Sequence, residues 1–160
     1  MTHKRLFIVL IHLFLFTNII ISAQEADRDL LDKFRWGNRL LLIFTPSMDN
    51  TNFKNANNTL KENKDGVTDR DLVIFYIFEN SQSVYGDSLI NKKTSIYLRE
   101  KFYAAEGNTT FILIGKDGGE KMRTINQFSI DRLFARIDEM PMRRSEIEER
   151  TFSFDSIKFE

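Results

Sequence analysis

The clearest pattern in the chain is three short apolar runs separated by polar and turn-forming residues. They lie at residues 40–44, 71–78 and 109–115, and the second reads DLVIFYIF. Its β-branched and aromatic residues are those enriched in strands. Short continuous apolar runs are typical of strands buried on both faces of a sheet. The pattern therefore predicts three core strands.

Apolar residues also recur at helical spacing before, between and after these runs. The spacing predicts helices at residues 25–34, 49–63, 94–102 and 130–137. The second of these is rich in asparagine, and Lys64-Asp65-Gly66 is predicted to end it. Ser129 precedes the fourth and is a good N-cap.

Turn-forming residues predict the remaining connections. Residues 79–91 are predicted to form a loop. The string KDGG, at residues 116–119, predicts a hairpin turn with residues 120–125 as the partner strand. Pro141 ends the last helix or begins another segment. Residues 151–160 alternate between apolar and polar, which fits a C-terminal tail or an edge strand.

The resulting element order is β-α-β-α-β-β-α after a short leading helix. Strands that alternate with helices indicate a mainly parallel sheet with helices on both faces. The last two strands are joined by a tight turn and must be antiparallel. We therefore predict an α/β, thioredoxin-like domain at residues 24–150, with a mixed four-stranded sheet flanked by helices.

Residues 1–23 have the pattern of a secretory signal peptide. Lys4 and Arg5 precede an apolar run of about 16 residues, and small residues follow it. The predicted cut is after Ala23. The alternative is an uncleaved anchor, but the run is shorter than the roughly 20 residues that span a bilayer. We expect a secreted or periplasmic protein without a membrane span after cleavage.

Composition narrows the possible chemistry. The chain has no cysteine, and its two histidines, His3 and His12, both lie in the predicted leader. A mature chain without these residues excludes thiol redox chemistry, histidine-based triads and the usual Cys/His zinc sites. Loss of Lys4 and Arg5 leaves 23 − 2 = 21 basic against 23 acidic residues, a net charge of −2. That balance does not predict nucleic-acid binding, and no cofactor is expected.

Four strings resemble one family in the order in which they occur. They are WGNRLLLIF from residue 36, DRDLVIF from residue 69, FILIGKDGGEKMR from residue 111 and DEMPMRR from residue 138. The chain resembles the domain of unknown function 4174 family over about residues 30–147. The family occurs in secreted bacterial proteins, and related domains occur in sushi-repeat and coiled-coil-domain-containing extracellular matrix proteins. The resemblance implies a thioredoxin-like, extracytoplasmic domain without redox cysteines and with no established activity.

The loop after the first strand occupies the position of the redox cysteines in thioredoxin-like folds. It consists of Thr45, Pro46, Ser47, Met48, Asp49 and Asn50. A serine nucleophile there would need a lysine or carboxylate as its base. Asn108-Thr109-Thr110 stands where such folds usually place a cis-proline before the third core strand. GKDGG, with its lysine before the glycines, differs from a phosphate-binding loop and is interpreted as a turn.

The string MPMRR supplies the other candidate site. Arg143 and Arg144, beside Met140 and Met142, could bind an anion or a protein partner. Alternatively, the arginines complement a helix C-terminus that Pro141 ends.

Charged and aromatic residues near the strand starts have two interpretations. Arg39, Arg70, Asp69 and Asp71 could form a polar site with Arg143 or Arg144, or they could form structural ion pairs. Trp36, the only tryptophan, could cap the core or bind a partner.

Two functional hypotheses follow. The first is an exported, non-redox module that binds a protein or a component of the cell envelope. The second is an enzyme independent of cysteine and histidine that uses a carboxylate, a lysine or a serine at the loop of residues 45–50.

Overall fold

A computed structural model describes residues 26–157, so the predicted signal peptide lies outside the described residues. Six strands form one sheet in the order β4-β3-β2-β1-β5-β6. They are β1 (Arg39–Thr45), β2 (Leu72–Phe78), β3 (Ser83–Tyr85), β4 (Ser88–Ile90), β5 (Thr110–Ile114) and β6 (Glu120–Ile125). β1 and β2 are parallel, and every other neighbouring pair is antiparallel.

Five α-helices accompany the sheet within the described residues. They are α1 (Thr51–Glu62), α2 (Lys64–Asp69), α3 (Lys92–Lys101), α4 (Ile130–Asp138) and α5 (Pro141–Ile157). The predicted β-α-β-α-β-β-α order is confirmed in the strands β1, β2, β5 and β6 and the helices around them. None of the helices in the described range is long and apolar enough to cross a bilayer.

Strand β1 is the centre of the core, because all seven of its residues are buried. Its side chains alternate between two apolar clusters, one on each face of the sheet. Leu42 belongs to the cluster that includes Leu98 of α3. Ile43 belongs to the cluster that includes Leu133 of α4. Each such side chain contributes roughly 1.5–3 kcal/mol to stability when fully buried. The helices on the two faces of the sheet shield β1 from water.

The KDGG string forms the predicted hairpin turn between β5 and β6. The Gly115 amide donates to the Gly119 carbonyl at 2.9 Å, and the Gly118 amide donates to the Gly115 carbonyl at 2.9 Å. Gly118 has a φ of +82°, a conformation that costs glycine little and other residues more. The interpretation of this string as a turn is confirmed.

The prediction that residues 79–91 form only a loop is wrong. Strands β3 and β4 form a hairpin within this segment, which adds two strands to the predicted four. Gly86 and Asp87 connect Tyr85 to its partner Ser88, and Gly86 has a φ of +51°. Serines on both strands hide the apolar alternation, and the strands are stabilised by pairing with β2, which no local pattern indicates.

Two helix predictions also differ from the structure. The leading helix is reduced to a 3₁₀ turn at Asp32–Phe34, and Leu30 and Leu31 are buried in the core before it. Lys64-Asp65-Gly66 begins α2 instead of ending a helix. A Cβ at Gly66 would lie 2.7 Å from Cε2 of Phe134. This glycine therefore permits close packing of α2 on α4.

The C-terminal segment is helical where an edge strand was one of the predictions. Pro141 opens α5, at a position where the missing amide hydrogen has no helical partner to lose. The interpretation of MPMRR as a helix end is therefore wrong. α5 continues to Ile157, so the edge-strand prediction is wrong for residues 151–157, while residues 158–160 lie outside the described range.

Helix α3 ends in a Schellman motif with a tyrosine at the left-handed position. The amide of Ala104 donates to the Arg99 carbonyl at 3.0 Å, and the amide of Tyr103 donates to the Glu100 carbonyl at 3.1 Å. Tyr103 has a φ of +50° and is 90% exposed. Glycine is the usual residue here because it has no Cβ to strain the left-handed conformation.

We predict that Tyr103→Gly stabilises the fold by about 1 kcal/mol, the cost of the left-handed conformation in an L-residue. Urea unfolding measures the change. Tyr103→Ala is the matched control, because it removes the ring and keeps the Cβ. If Tyr103→Gly is no more stable than Tyr103→Ala, the left-handed conformation at this position is not strained.

Candidate functional site

The strings that carry the family resemblance meet in one charged cluster at an end of the sheet. β1 and β2 are parallel and both begin there, while the antiparallel β5 ends there. Arg39 therefore lies near Asp71, which precedes β2, and near Lys116, which follows β5. α5 adds Arg143, Glu146 and Arg150, spaced at i, i+3 and i+7 on one helix face. We call these residues, together with Asp69 and Asp138, which pair with Arg143, the ionic cluster.

Glu146 is the central acceptor of the ionic cluster. Its Oε1 and Oε2 accept from Nη2 and Nη1 of Arg39 at 3.0 and 3.1 Å. The Lys116 Nζ lies 2.8 Å from the same Oε1 and also donates to Asp71. Arg39 is 1% exposed and Lys116 9% exposed. Bidentate pairing of this kind fixes the orientation of the buried guanidinium. Its Nε is buried without a hydrogen-bond partner among the described residues.

Arg143 links α5 to α2 and α4. Its Nε donates to the Asp138 carboxylate at 3.2 Å, and its Nη1 donates to the Asp69 carbonyl at 2.8 Å. Its Nη2 pairs with the Asp69 carboxylate. Asp138 also accepts from Arg70 at 2.6 Å. Arg143 is 3% exposed, so its guanidinium is engaged in contacts inside the protein.

The carboxylates of the cluster are held in their charged form. Burial alone raises the pKa of Glu146, but hydrogen bonds from Arg39 and Lys116 outweigh it, and the pKa lies below its usual value. Burial likewise raises the pKa of Asp69, and the hydrogen bond from Arg143 reverses that shift. Both carboxylates therefore remain ionised at neutral pH.

The six candidate residues for partner binding do not form one surface. Arg39 and Arg143 are buried in the ionic cluster, in line with the structural ion-pair interpretation. Met140 is partly buried against the core, whereas Arg144 is exposed and Met142 is 40% exposed. Trp36 is 68% exposed with a φ of +64°, so it does not cap the core.

The loop at residues 45–50 lies at the opposite end of the sheet, beside a hydrogen-bonded group of hydroxyls and amides. The family resemblance predicts that this loop is the redox position. Thr45, which ends β1, and Thr109, before β5, are both 0% exposed. Thr109 Oγ1 donates to the Asn50 side chain at 2.8 Å. Because Thr109 has one hydroxyl hydrogen, the Thr45 hydroxyl must donate in the 3.1 Å contact between the two oxygens. Asn50 also caps α1 by accepting from the Phe53 amide.

Asn126 closes this group from the side of β6. Its backbone amide donates to the Thr109 carbonyl at 2.7 Å, and its side-chain oxygen accepts from the Thr109 amide at 2.8 Å. Asn126 has a φ of +56°, a strained conformation that these two bonds stabilise. Thr45, Asn50, Thr109 and Asn126 are called the threonine–asparagine network below.

The remainder of the loop at residues 45–50 lies at the surface. Asp49 pairs with Lys54 at 2.9 Å, with side chains 92% and 55% exposed. The hydrogen bond from Lys54 lowers the pKa of Asp49. The Ser47 hydroxyl accepts from the Asp49 amide at 3.3 Å. An aspartate and a lysine thus converge, but at an exposed position that does not exclude water.

A cleft of about 600 Å³ adjoins the network on the side of β2, between the β3–β4 hairpin and α3. Its wall contains an ion pair between Glu79 and Arg99 at 3.3 Å, with both side chains largely buried. The Glu79 amide donates to the Thr45 carbonyl at 3.1 Å, which connects the cleft to the network. Glu79 also accepts from the Gly107 amide at 3.1 Å. Burial lowers the pKa of Arg99, although Glu79 opposes that shift.

Sequence reasoning did not single out Glu79, Arg99, Asn126 or Glu146. Glu79 directly follows an apolar run, at the carboxyl end of a parallel strand where α/β folds bind ligands, and this signal could have found it. No such signal in the sequence distinguishes Glu146 from the neighbouring acidic residues. In the part of the chain that the structure describes, no group of three acidic side chains could hold a metal ion.

We predict that Glu146→Gln destabilises the fold by about 3 kcal/mol, since it leaves Arg39 and Lys116 buried without their shared carboxylate. Urea unfolding at neutral pH measures the loss. Glu148→Gln, at an exposed position on the same helix, is the matched control and should change stability by less than about 0.5 kcal/mol. Equal losses in the two variants would contradict the role of Glu146.

The lowered pKa of Glu146 also predicts a pH dependence. A carboxyl whose pKa is lower in the folded state contributes stability above its usual value, 4.5, and loses it as the pH falls through the folded value. The difference in unfolding free energy between the wild type and Glu146→Gln should therefore be constant from pH 7 to about pH 5 and shrink below it. A difference that persists unchanged at about pH 3 would show that the charge is not responsible.

Comparisons with known proteins bear on the family and the fold of this chain. The family model described as "Domain of unknown function (DUF4174)" matches residues 30–146 and ends at Glu146. Among solved structures, the fold is similar to the crystal structure of reduced 2-Cys peroxiredoxin from Plasmodium vivax. The TM-score is 0.55 at 14% identity, with 72% of this chain and 84% of that chain covered. This likeness shows the thioredoxin-like fold alone.

No curated protein matches the sequence significantly. The family model, however, covers well over half of the chain and contains most of the ionic cluster as well as the network at the opposite end. The protein therefore belongs to the thioredoxin-like family described as domain of unknown function DUF4174.

Proposed function

We propose that this protein is an exported, non-redox thioredoxin-like module that binds a protein or another component of the cell envelope. The observation that carries the proposal is the open cleft beside Glu79 and Arg99, at the carboxyl end of the parallel strands. Open α/β sheets bind their ligands outside this end of the sheet. The ionic cluster occupies the other end.

The threonine–asparagine network supports a binding role over a catalytic one. The two threonine hydroxyls at the redox position are buried, and their hydrogens are directed to acceptors inside the network. A hydroxyl in this setting has no base to activate it and no path to a substrate. The network instead joins β1, β5 and α1 and so gives the cleft beside it a rigid boundary.

The lining of the cleft indicates a polypeptide as its occupant. The exposed Ile96 contributes apolar surface, while Lys92, Glu100 and Glu106 add both signs of charge. Apolar surface with a polar rim is a feature of protein interfaces. It differs from the basic surface that nucleic acids require. One wall is the β3–β4 hairpin, and segments of this kind often carry specificity on a rigid scaffold.

Substitution of Ile96 tests the cleft. Ile96 is 48% exposed and lies on α3. Lysine has a high helix propensity, so the substitution is compatible with α3. We predict that Ile96→Lys abolishes capture of envelope proteins that the wild-type protein retains, because the buried charge opposes binding.

Met142→Lys, at an exposed position on α5, is the matched control and should retain the same proteins. Arg144→Ala provides a second control within MPMRR. Loss of capture in Met142→Lys or Arg144→Ala, with Ile96→Lys unaffected, would transfer the binding site to α5. Circular dichroism establishes that each variant is folded.

Export is proposed from the leader pattern at residues 1–23. We predict that the protein isolated from its native source begins at Gln24 and lies outside the cytoplasm, since the pattern places a cut after Ala23. N-terminal sequencing combined with cell fractionation measures both. An N-terminus at Met1 in the cytoplasmic fraction would contradict export, and Met1 in the membrane fraction would identify an anchor.

A further inference from the structure

A second concavity lies on the other side of the threonine–asparagine network from the cleft. It is a groove of about 300 Å³ between α1 and the segment that follows β6. We call it the amide groove. Asn52, Asn55 and Thr59, spaced at i, i+3 and i+7, line one wall, and Asn126, Gln127 and Phe128 line the other.

The amide groove has no charged residue among those that line it. This is unusual in a chain in which 29% of the residues are charged. Side-chain carboxamides come from both walls, and each carries two donor hydrogens and an acceptor oxygen. The groove therefore suits an uncharged ligand that both donates and accepts hydrogen bonds at short intervals.

Two carboxamides of the groove are available to a ligand. Within the described residues, the side chains of Asn55 and Gln127 make no hydrogen bond, and both are exposed. Asn52 and Asn126 are held in place, because Asn52 Nδ2 donates to Asn126 Oδ1 at 3.3 Å and Asn126 Nδ2 donates to Asn108. The groove thus combines two carboxamides held by hydrogen bonds with two exposed carboxamides that can adapt to a ligand.

The walls of the groove favour a saccharide over an extended peptide. One wall is the side-chain face of a helix, whose backbone groups are paired within the helix. An extended peptide obtains much of its affinity from main-chain bonds to a free strand edge, which this wall does not offer. Hydroxyl groups of a sugar pair directly with carboxamides, and the half-buried ring of Phe128 offers apolar surface to the C–H face of a sugar.

We propose that the amide groove binds an uncharged oligosaccharide, with Asn55 and Gln127 as the principal hydrogen-bonding residues. The volume is at the lower end of the roughly 300–1,000 Å³ of small-ligand sites, which fits one or two sugar rings. The site is separate from the cleft and does not depend on protein binding there. It assigns a binding role to the asparagine-rich helix α1.

The test is a titration of the ¹⁵N-labelled protein followed by NMR of the side-chain amides. The probes are two neutral hexasaccharides, β-1,4-linked N-acetylglucosamine and α-1,6-linked glucose, and one acidic hexasaccharide of hyaluronate. At least one neutral probe should shift the Asn55 and Gln127 side-chain resonances. The Asn55→Ala/Gln127→Ala double variant should bind that probe at least tenfold more weakly.

Asn58→Ala is the matched control for the helix, because Asn58 is exposed on α1 and does not line the groove. It should bind as the wild type does, and so should Ile96→Lys, which alters only the cleft. The proposal is overturned if neither neutral probe shifts these resonances at concentrations on the order of 10 mM, beyond the weak-binding range. It is equally overturned if the double variant binds normally or if hyaluronate binds most tightly.

Discussion

The pairing of Glu146 with Arg39 and Lys116 fixes the position of α5 at one end of the sheet. Arg39 opens the central strand, and at 1% exposure its charge requires a partner inside the protein. Glu146 supplies that partner from the last helix. α5 consequently docks through charged side chains, with Arg143 and Glu146 directed inward and Met142 exposed. An ionic anchor of this kind specifies one geometry, since any shift of the helix leaves buried charges unpaired.

This constraint changes what the family signature means. Arg39, Asp69, Lys116, Asp138 and Arg143 lie in the four strings on which the family resemblance rests, and all of them belong to the ionic cluster. The charged residues of these strings therefore hold α5 against one end of the sheet. The opposite end, with the threonine–asparagine network between a charged cleft and an uncharged groove, is the surface that we propose for interaction with other molecules.

The central fold was predictable because its signals are local. The apolar runs of β1 and β2, the glycine of the hairpin at Gly118 and the N-cap at Ser129 each specify an element within a few residues. The β3–β4 hairpin was not predictable, because its short strands depend on pairing with β2. The edge-strand prediction at the C-terminal end was wrong for a related reason. The apolar alternation there is compatible with a strand, whereas α5 is held by ion pairs with residues distant in the sequence.

The candidate site was less accessible to sequence reasoning than the fold. The predicted partner-binding arginines are divided between the interior and the surface, because Arg143 meets Asp69 and Asp138 while Arg144 points outward. The interpretation of the loop at residues 45–50 singled out Thr45 and Asn50, which belong to the threonine–asparagine network. It did not anticipate that Thr109 and Asn126, over 50 residues away, would complete the network there. Such contacts follow from strand order, which sequence spacing alone does not reveal.

The central claim is that the carboxyl end of the parallel strands is the interaction surface and that the ionic cluster is structural. Hydrogen–deuterium exchange of the protein with and without an envelope extract tests this most directly. Slower exchange at residues 79–83, 95–99 and 126–128, with residues 142–148 unchanged, is the predicted result. Slower exchange confined to residues 142–148 and Trp36 would contradict the claim and return the binding site to the paired arginines.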